Sequence, residues 1–366
     1  MGSRDLPGSI FSNDLDREFW RDLDPVRRRA LGQYFTPYEA ARLMAAYLTG
    51  SSGPLLDPAS GGAVFLRALS DPARNLLADG REVVAGELDP ILAERTREVG
   101  AMLGLGARLE VVEGDYFDLP GSRRFGAIIA NPPYLNHAGF TASKGKYADL
   151  IEAETKVRLH GLANLYLYFV VRLVQQLTPT GRAALIVPAE FLDQVAGRSV
   201  KQMLVERRLL RGVVWFHSEN SIFEDAMTTA AILLISNDSA THPGSVAFVS
   251  AETTAACAEI EASISTTTPD VILGRMVPLH ALDPADRWRT HVSGEETPTV
   301  VGGIALGSYA KIRHGITTGA NKFFVRSRSA WAALGIDERF LAPVVPKSVM
   351  VPGVVFTDAD FDRLDA

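Results

Sequence analysis

The sequence predicts an α/β fold in which a mostly parallel sheet carries helices on both faces, over about residues 32 to 237. Strand-like and helix-like segments alternate along this stretch, which is typical of parallel strands joined by crossover helices. The strand-like segments, for example GAIIA at 126–130 and AAILLIS at 230–236, are apolar almost throughout. Strands that are apolar at nearly every position are buried on both sides, so helices must cover both faces of the sheet.

The elements follow one another in a regular order. The segment EAARLMAAYL at 39–48 has apolar residues at helical spacing and follows Thr36 and Pro37, a suitable N-cap and first helical position. We predict further helices in VFLRAL, ILAERTREVGAMLG, NLYLYFVVRLVQQL and VKQMLVERRLL. We predict strands in the segments PLLDP, EVVAGELDP, LEVVEGDYF, RFGAIIANPPY, GRAALIVPAEFL, GVVWFH and TTAAILLIS.

Composition divides the chain into four parts. Residues 1–31 form an N-terminal extension, and residues 32–237 carry the alternating elements. Ser, Thr, Ala and Pro dominate residues 238–300, where short strand-like pieces such as SVAFVS occur, so we predict a connecting or accessory region. Residues 301–366 resume a strand-and-turn pattern without an evident closing element, so we expect the chain to be a fragment of a longer protein.

Composition also argues against several classes of protein. No apolar stretch approaches the roughly 20 residues that span a bilayer. The N-terminus lacks the basic start and apolar core of a secretory signal, so we expect a cytoplasmic protein. The single cysteine, Cys257, excludes an internal disulfide and a cysteine zinc site, and we predict no metal. The net charge of −6 argues mildly against an extended nucleic-acid surface, although basic residues cluster at 27–29, 201–211 and 311–328.

Three successive strand ends supply groups that suit an adenosine-containing cofactor. Ligands of open parallel sheets bind beyond the carboxyl ends of the strands. In the turn DPASGG at 57–62, Gly61 and Gly62 let the backbone approach a ligand. Glu87, at the second strand end, can accept from both hydroxyls of a ribose, and Asp115, at the third, can accept from the amine of adenine. The first turn lacks a complete G-x-G-x-x-G and no Walker loop is present, so a dinucleotide is not indicated.

The fourth strand ends in the NPPY segment, residues 131–134. Pro132 and Pro133 keep the backbone extended, which makes the Asn131 side-chain oxygen and the Pro132 carbonyl neighbouring acceptors. Two acceptors aimed at one planar amino group favour a nitrogen with a delocalised lone pair, because bonding both hydrogens helps it to become a nucleophile. Tyr134 can stack on a flat substrate, so the segment predicts chemistry on a planar amine.

With these motifs the chain resembles the class I S-adenosylmethionine-dependent methyltransferases, specifically the gamma group of N6-adenine DNA methyltransferases of restriction-modification and related phage-defence systems. The resemblance covers nearly the whole chain from about residue 28. The GQYFTP segment, residues 32–37, resembles the motif that caps the cofactor, and DPASGGAVFL resembles the turn D-P-x-x-G-x-G-x-F, with Ala63 where the second glycine is usual. The resemblance implies a Rossmann-like, mostly parallel seven-stranded sheet with helices on both faces, plus a partial C-terminal α+β or β region.

The resemblance also implies roles for individual residues and segments. Phe223 would sandwich the target base against Tyr134, and Tyr116 or Leu88 would flank the adenine ring of the cofactor. Residues 32–237 would be the catalytic domain, and GITTGANKFFV would begin a target-recognition domain at 301–366 that we expect to be truncated. The implied catalytic residues are Asn131, Pro132, Pro133, Tyr134 and Phe223. The implied cofactor-binding residues are Tyr34, Phe35, Thr36, Pro37, Asp57, Ala59, Gly61, Glu87, Leu88, Asp115, Tyr116 and Asn131.

The activity that the resemblance implies is transfer of a methyl group from S-adenosylmethionine to N6 of an adenine flipped out of double-stranded DNA. Two alternatives stay open. One is the same chemistry on another planar amine, such as a protein glutamine or an adenine in RNA; the other is a non-catalytic subunit of a defence complex. The GQYFTP segment before the glycine turn and the long region after residue 238 favour DNA. A separate specificity or nuclease subunit is a further expected partner.

Overall fold

Strands form where the apolar segments predict them in the computed structural model of the chain. The structure describes residues 8–11, 24–34, 36–135, 139–216, 229–251, 254–264, 273–293, 308–311, 321–345, 357 and 359–360. The strands are Leu55–Asp57 (β1), Val83–Glu87 (β2), Leu109–Glu113 (β3), Phe125–Ala130 (β4), Leu177–Pro188 (β5), Leu210–Phe216 (β6), Ala230–Ser236 (β7), Ser245–Ala251 (β8) and Arg275–Pro278 (β9).

The described strands make one sheet in the order β3-β2-β1-β4-β5-β7-β6-β8-β9. β1 pairs in parallel with both β2 and β4, so the order of the strands reverses between β1 and β4. β7 is antiparallel to its neighbours β5 and β6, and β9 is antiparallel to β8. The mostly parallel α/β sheet is confirmed.

The prediction of seven strands is wrong, because the sheet continues through β8 and β9. Every residue of β6 is buried. The edge of β6 that does not pair with β7 is covered by β8, which pairs with it in parallel. Both added strands come from residues 238–300, whose composition predicted a connecting or accessory region. The isolated segment SVAFVS was the visible signal for β8, and β9 has a single buried position among four.

Helices cover the sheet on both faces, as predicted. The helices of this part of the chain are Pro25–Leu31 (α1), Tyr38–Tyr47 (α2), Val64–Leu69 (α3), Pro90–Met102 (α4), Thr141–Thr155 (α5), Leu165–Gln175 (α6), Arg198–Glu206 (α7), Thr254–Ser263 (α8) and Arg289–Ser293 (α9). Consecutive strand residues alternate between two cores: Leu56 and Ile128 face α5, α6 and α7, whereas Leu55 and Ile129 face α2, α3 and α8.

Helix α5 was not predicted from the sequence. Its buried residues are Tyr147, Ile151 and Thr155, which are four apart but leave the rest of the helix surface polar or small. A narrow buried stripe of this kind gives a weak periodic signal. None of the described helices combines the length and the apolar character that crossing a bilayer requires.

The chain divides into two compact units, Met1–Thr297 and Pro298–Ala366. In the second unit the described helices are Asn321–Phe324 (α10) and Arg328–Ala333 (α11). The Ser327 hydroxyl accepts from the Ala330 amide and so caps α11. The guanidinium of Arg326 lies 5.5 Å from the ring centroids of both Phe323 and Trp331. The target-recognition role of residues 301–366 stays a prediction.

Candidate functional site

A cavity of about 350 Å³ lies beyond the carboxyl ends of β1, β2, β3 and β4. This is the place where the strand order reverses, and ligand sites of open α/β sheets form there. The turns that follow these four strands all contribute to its wall. Of the residues predicted from sequence, those that line it are Tyr34, Thr36, Ala59, Gly61, Glu87, Leu88, Asp115, Tyr116, Asn131 and Pro133.

Four of the predicted residues that the structure describes do not line this cavity. Pro37 and Pro132 are buried next to lining residues, and Asp57 is buried at the end of β1. Tyr134 does not line the cavity, but its ring packs on Tyr34, which does. Phe35 and Phe223 lie outside the described residues.

Two backbone amides hold the Glu87 carboxylate. One oxygen accepts from the Gly61 amide at 2.8 Å and the other from the Asp89 amide at 2.9 Å. Gly61 has a φ of +52°, which a glycine adopts without strain, so the turn after β1 can present its N–H to the end of β2. Burial raises the pKa of Glu87, and the two amide hydrogen bonds oppose that shift. The carboxylate is therefore fixed in place at the cavity, where it can accept further hydrogen bonds from a ligand.

Asp57 is buried without full hydrogen bonding. One oxygen accepts from the Ala59 amide at 3.4 Å, and the other has no partner among the described residues. Burial raises the pKa of Asp57 well above its usual range, and the nearby charge of Glu87 adds to this. Buried polar atoms are nearly always bonded, so this oxygen departs from the usual pattern.

The turn after β1 is also strained at Ala63. Its φ is +64°, in the left-handed region, which costs a residue with a Cβ roughly 1–2 kcal/mol. This conformation explains why the resembled motif has a glycine at that position. Ala63 begins α3 as its N-cap residue, so the strain lies at the start of the helix that points toward the cavity.

The Asp115 carboxylate is held from two sides. One oxygen accepts from the Phe117 amide at 2.9 Å, which caps the short helix Tyr116–Asp118. The other accepts from the Tyr147 hydroxyl of α5 at 2.6 Å. The Tyr147 ring also stacks on Phe117, with centroids 4.2 Å apart. Phe117, Tyr147 and Phe169 all line the cavity, and sequence reasoning assigned none of them to it.

Buried Arg172 of α6 contacts the residues of the cavity wall that follow Asp115. Its guanidinium donates to the carbonyls of Tyr116 at 2.9 Å and Leu119 at 2.7 Å, and it pairs with Glu154 of α5 at 3.2 Å. It lies 5.1 Å from the ring centroid of Tyr116 and 5.5 Å from that of Phe117. One buried cation thus fixes the backbone and the rings that follow Asp115. In the sequence, Arg172 is one polar residue within an apolar helix, which gives no sign of this role.

The GQYFTP and NPPY segments contact each other directly. The Tyr134 amide donates to the Gly32 carbonyl at 3.1 Å, and the side-chain nitrogen of Asn131 donates to the Thr36 hydroxyl at 2.9 Å. The second bond engages the nitrogen of Asn131, a residue that lines the cavity, so its oxygen is the side-chain atom available to accept from a ligand. Gly32 has a φ of +65°, and a Cβ there would lie 2.9 Å from the Tyr134 nitrogen. The close approach of the two segments therefore requires glycine at position 32.

Tyr134 is packed inward in this structure. Its ring centroid is 5.1 Å from that of Tyr34, with 35° between the planes. Burial raises the pKa of Tyr134 well above its usual range, so its hydroxyl stays protonated. Stacking of Tyr134 on a substrate base stays a prediction.

Helix α1 connects the GQYFTP segment to the turn after β2. Its Arg27 donates to the Asp89 carboxylate at 2.9 Å, and that carboxylate also caps α4 by accepting from the Ile91 amide. Arg27 of α1 thus contacts the turn after β2, and Thr36 contacts the NPPY segment. Across the described residues, no group of three or more His, Cys, Asp and Glu side chains is arranged to hold a metal ion.

Comparison with known proteins gives two family matches. The model of the N-6 DNA Methylase family matches residues 18–266. The model of the Type II methyltransferase M.Eco57I C-terminal domain matches residues 302–366. The first match covers more than half of the chain and contains the ends of β1, β2, β3 and β4, which meet at the cavity.

Individual relatives agree with these matches. The chain is 27% identical to the Type II methyltransferase M.AccI of Acinetobacter calcoaceticus, over 97% of this chain and 64% of that protein. It is 28% identical to the Type II methyltransferase M.XamI of Xanthomonas campestris pv. amaranthicola, over 89% of this chain and 59% of that protein. The chain thus spans about three fifths of the length of these relatives. The solved structure of the type IIG restriction endonuclease BpuSI shares the fold, with a TM-score of 0.57 and 16% identity over 87% of this chain and 41% of that one.

Proposed function

Because the chain belongs to the N-6 DNA Methylase family, we propose that it transfers a methyl group from S-adenosylmethionine to N6 of an adenine in DNA. It would do so as the modification component of a restriction-modification or phage-defence system. The observation that carries the proposal is the position of Asn131, whose side-chain oxygen is an acceptor at the same cavity that Glu87 and Asp115 line.

The residues at the cavity fit the cofactor. The volume of about 350 Å³ lies within the usual range of small-molecule sites. Glu87 would accept from the ribose hydroxyls and Asp115 from the adenine amine, since both line the cavity. A Cβ at Gly61 would meet nothing within 4 Å, so the turn leaves open space there. When bound, S-adenosylmethionine supplies a methyl group activated by its sulfonium.

The chain's own residues position and activate the target nitrogen. The Asn131 oxygen and the Pro132 carbonyl would accept the two N6 hydrogens and make the nitrogen lone pair available for attack. Thr36 holds the Asn131 amide so that its oxygen is the group left at the cavity. An adenine N6 within a duplex is out of reach, so the base must be flipped out, at a cost of a few kcal/mol. Tyr134 and Phe223 would stack on the flipped base.

Several observations favour DNA as the substrate. The relatives that match nearly the whole chain are Type II methyltransferases, and the GQYFTP segment packs on the NPPY segment. We place the reaction in the cytoplasm, together with the DNA. A separate specificity or nuclease subunit and a role of residues 301–366 in target recognition belong to the same proposal.

Expression of the full chain in a host that lacks it, followed by sequencing that detects N6-methyladenine, tests the proposal. We expect modified adenine at a fixed sequence. In vitro, Asn131→Ala should lower methyl transfer by roughly 100-fold or more, because a preorganised acceptor is lost, while S-adenosylhomocysteine still binds.

Asn237→Ala is the matched control for that variant. The Asn237 side chain donates to the carbonyls of Leu177 and Thr178, away from the cavity, so its loss should leave transfer intact. Unchanged methylation by Asn131→Ala would exclude the mechanism. Methylation of RNA or of a protein glutamine in place of DNA would favour the first alternative, and cofactor binding without any transfer would favour a non-catalytic subunit.

A further inference from the structure

We propose that Tyr147 of α5 is a positioning residue that orients the Asp115 carboxylate and thereby makes the cavity selective for a cofactor with a 6-aminopurine. This inference rests on the proposed function and adds a residue that belongs to none of the sequence motifs. It starts from the hydrogen bond of 2.6 Å from the Tyr147 hydroxyl to Asp115 and from the stacking of the Tyr147 ring on Phe117.

Two hydrogen bonds hold the Asp115 carboxylate, one at each oxygen. The bond from the Phe117 amide is local, since it joins residues two apart and forms with the helix cap. On its own, a bond to one oxygen leaves the carboxylate free to rotate, so the position of the second oxygen is not fixed. The Tyr147 hydroxyl bonds that second oxygen from a different helix, so the plane of the carboxylate becomes fixed. Each oxygen keeps a lone pair with which it can accept from a ligand.

Two consecutive side chains of helix α5 contact this part of the wall. Lys146 pairs with Asp118 at 2.7 Å on the exposed side, and Tyr147 bonds Asp115 on the buried side. Exposed ion pairs contribute little, so of these two contacts the buried bond is the stronger. Burial and the neighbouring Asp115 carboxylate raise the pKa of Tyr147 to about 12, so the hydroxyl remains a donor at neutral pH.

Selectivity follows from the direction of hydrogen bonding. A carboxylate fixed in this orientation can accept from the amine at position 6 of adenine, whereas the oxygen at position 6 of hypoxanthine repels it. If the carboxylate could rotate, it would turn away from the 6-oxo group and the penalty would fall. Tyr147 therefore acts through Asp115, and its effect should be visible in the ratio of two affinities.

The experiment compares Tyr147→Phe with the wild type, using the full chain. Calorimetry measures the dissociation constants of S-adenosylhomocysteine and of S-inosylhomocysteine, its 6-oxo counterpart. We expect the variant to bind S-adenosylhomocysteine about tenfold more weakly, with a similar fall in its preference over the 6-oxo ligand, because a hydrogen bond to a charged group is lost. KM for S-adenosylmethionine should rise in parallel, while kcat at saturation changes by less than about twofold.

Tyr168→Phe is the matched control. Tyr168 is buried in the same core, on α6, and its ring meets Phe140 edge to face, yet it does not line the cavity. This variant should bind both ligands as the wild type does. An equal loss for both ligands in Tyr147→Phe, or no loss, would overturn the inference.

A second variant tests the same inference if Tyr147→Phe does not fold. Asp115→Asn removes the charge that Tyr147 orients while nearly preserving its shape, and it should abolish the preference for S-adenosylhomocysteine. A double variant with Tyr147→Phe should then show no further change in the ratio of affinities. A preference that survives in Asp115→Asn would refute the inference. A wild type that binds S-adenosylhomocysteine but methylates no DNA would instead contradict the proposed function alone.

Discussion

The contact of Gly32 with the NPPY segment offers a sharp test of how the site is assembled. In Gly32→Ala, the added Cβ would lie 2.9 Å from the Tyr134 nitrogen and 3.1 Å from Leu135 Cγ. Real Cβ atoms do not approach backbone that closely, so the GQYFTP and NPPY segments must separate. The hydrogen bond from the Tyr134 amide to the Gly32 carbonyl, now 3.1 Å, would lengthen.

Two effects set the magnitude. The φ of +65° costs an alanine roughly 1–2 kcal/mol of unfolding free energy. Restoring an ordinary contact moves the segments apart by roughly half an ångström, and since a 1 Å displacement in an active site can cost about 100-fold in rate, we expect a loss of about tenfold in methyl transfer. The Asn131 oxygen would move with its segment, so kcat should fall more than cofactor affinity.

Gly50→Ala provides the control. Gly50 has a φ of +82°, but a Cβ there would meet nothing within 4 Å. It should therefore lose a similar unfolding free energy and keep full activity. Thermal unfolding and single-turnover methylation measure the two quantities. Equal activity in the two alanine variants would refute the claim that the contact at Gly32 aligns the NPPY segment.

Two further predictions concern pH and stability. Burial raises the pKa of Asp57, so the folded state holds its proton above the pH at which the unfolded state releases it, and stability falls as pH rises. Asp57→Asn should therefore gain unfolding free energy relative to the wild type as the pH rises above about 4 in urea titrations, yet bind S-adenosylhomocysteine more weakly. Burial lowers the pKa of Lys201 to about 8. This effect is larger than the opposing effect of the nearby negative charges of Asp193, Asp286 and Asp283. The unfolded state then binds more protons above that pH, so the wild type should gain stability over Lys201→Met between about pH 8 and 10, and a flat difference would contradict this assignment.

The sequence predicted the strand ends well because their signals are local. Continuous apolar segments stop at polar or small residues, and Glu87, Asp115 and Asn131 stand where β2, β3 and β4 end and at one cavity. The carboxyl ends of parallel strands meet at one edge of a sheet, so these residues had to converge once the parallel order was correct.

Other parts of the site depend on contacts that leave no local pattern. Tyr147 lies 32 residues from the Asp115 it bonds, on a helix whose buried stripe is too narrow to be recognised. Arg172 is a charged residue within an apolar helix, and only the structure shows that it donates to the carbonyls of Tyr116 and Leu119. That β8 and β9 continue the sheet was missed, because the composition around the strand-like piece SVAFVS resembles that of a connecting region.

By itself, the sequence determined the strands β1 to β7 with their turns and the polar residues at the strand ends, whereas the planar-amine chemistry of the NPPY segment stays a prediction. These follow from hydrophobic continuity and from the restricted backbone of proline. The tertiary structure alone decided that Thr36 bonds the Asn131 amide, that Gly32 permits the close approach of the NPPY segment, and that Tyr147 bonds Asp115. The physical reason is that side-chain orientation is set by partners distant in the chain, which no local periodicity encodes.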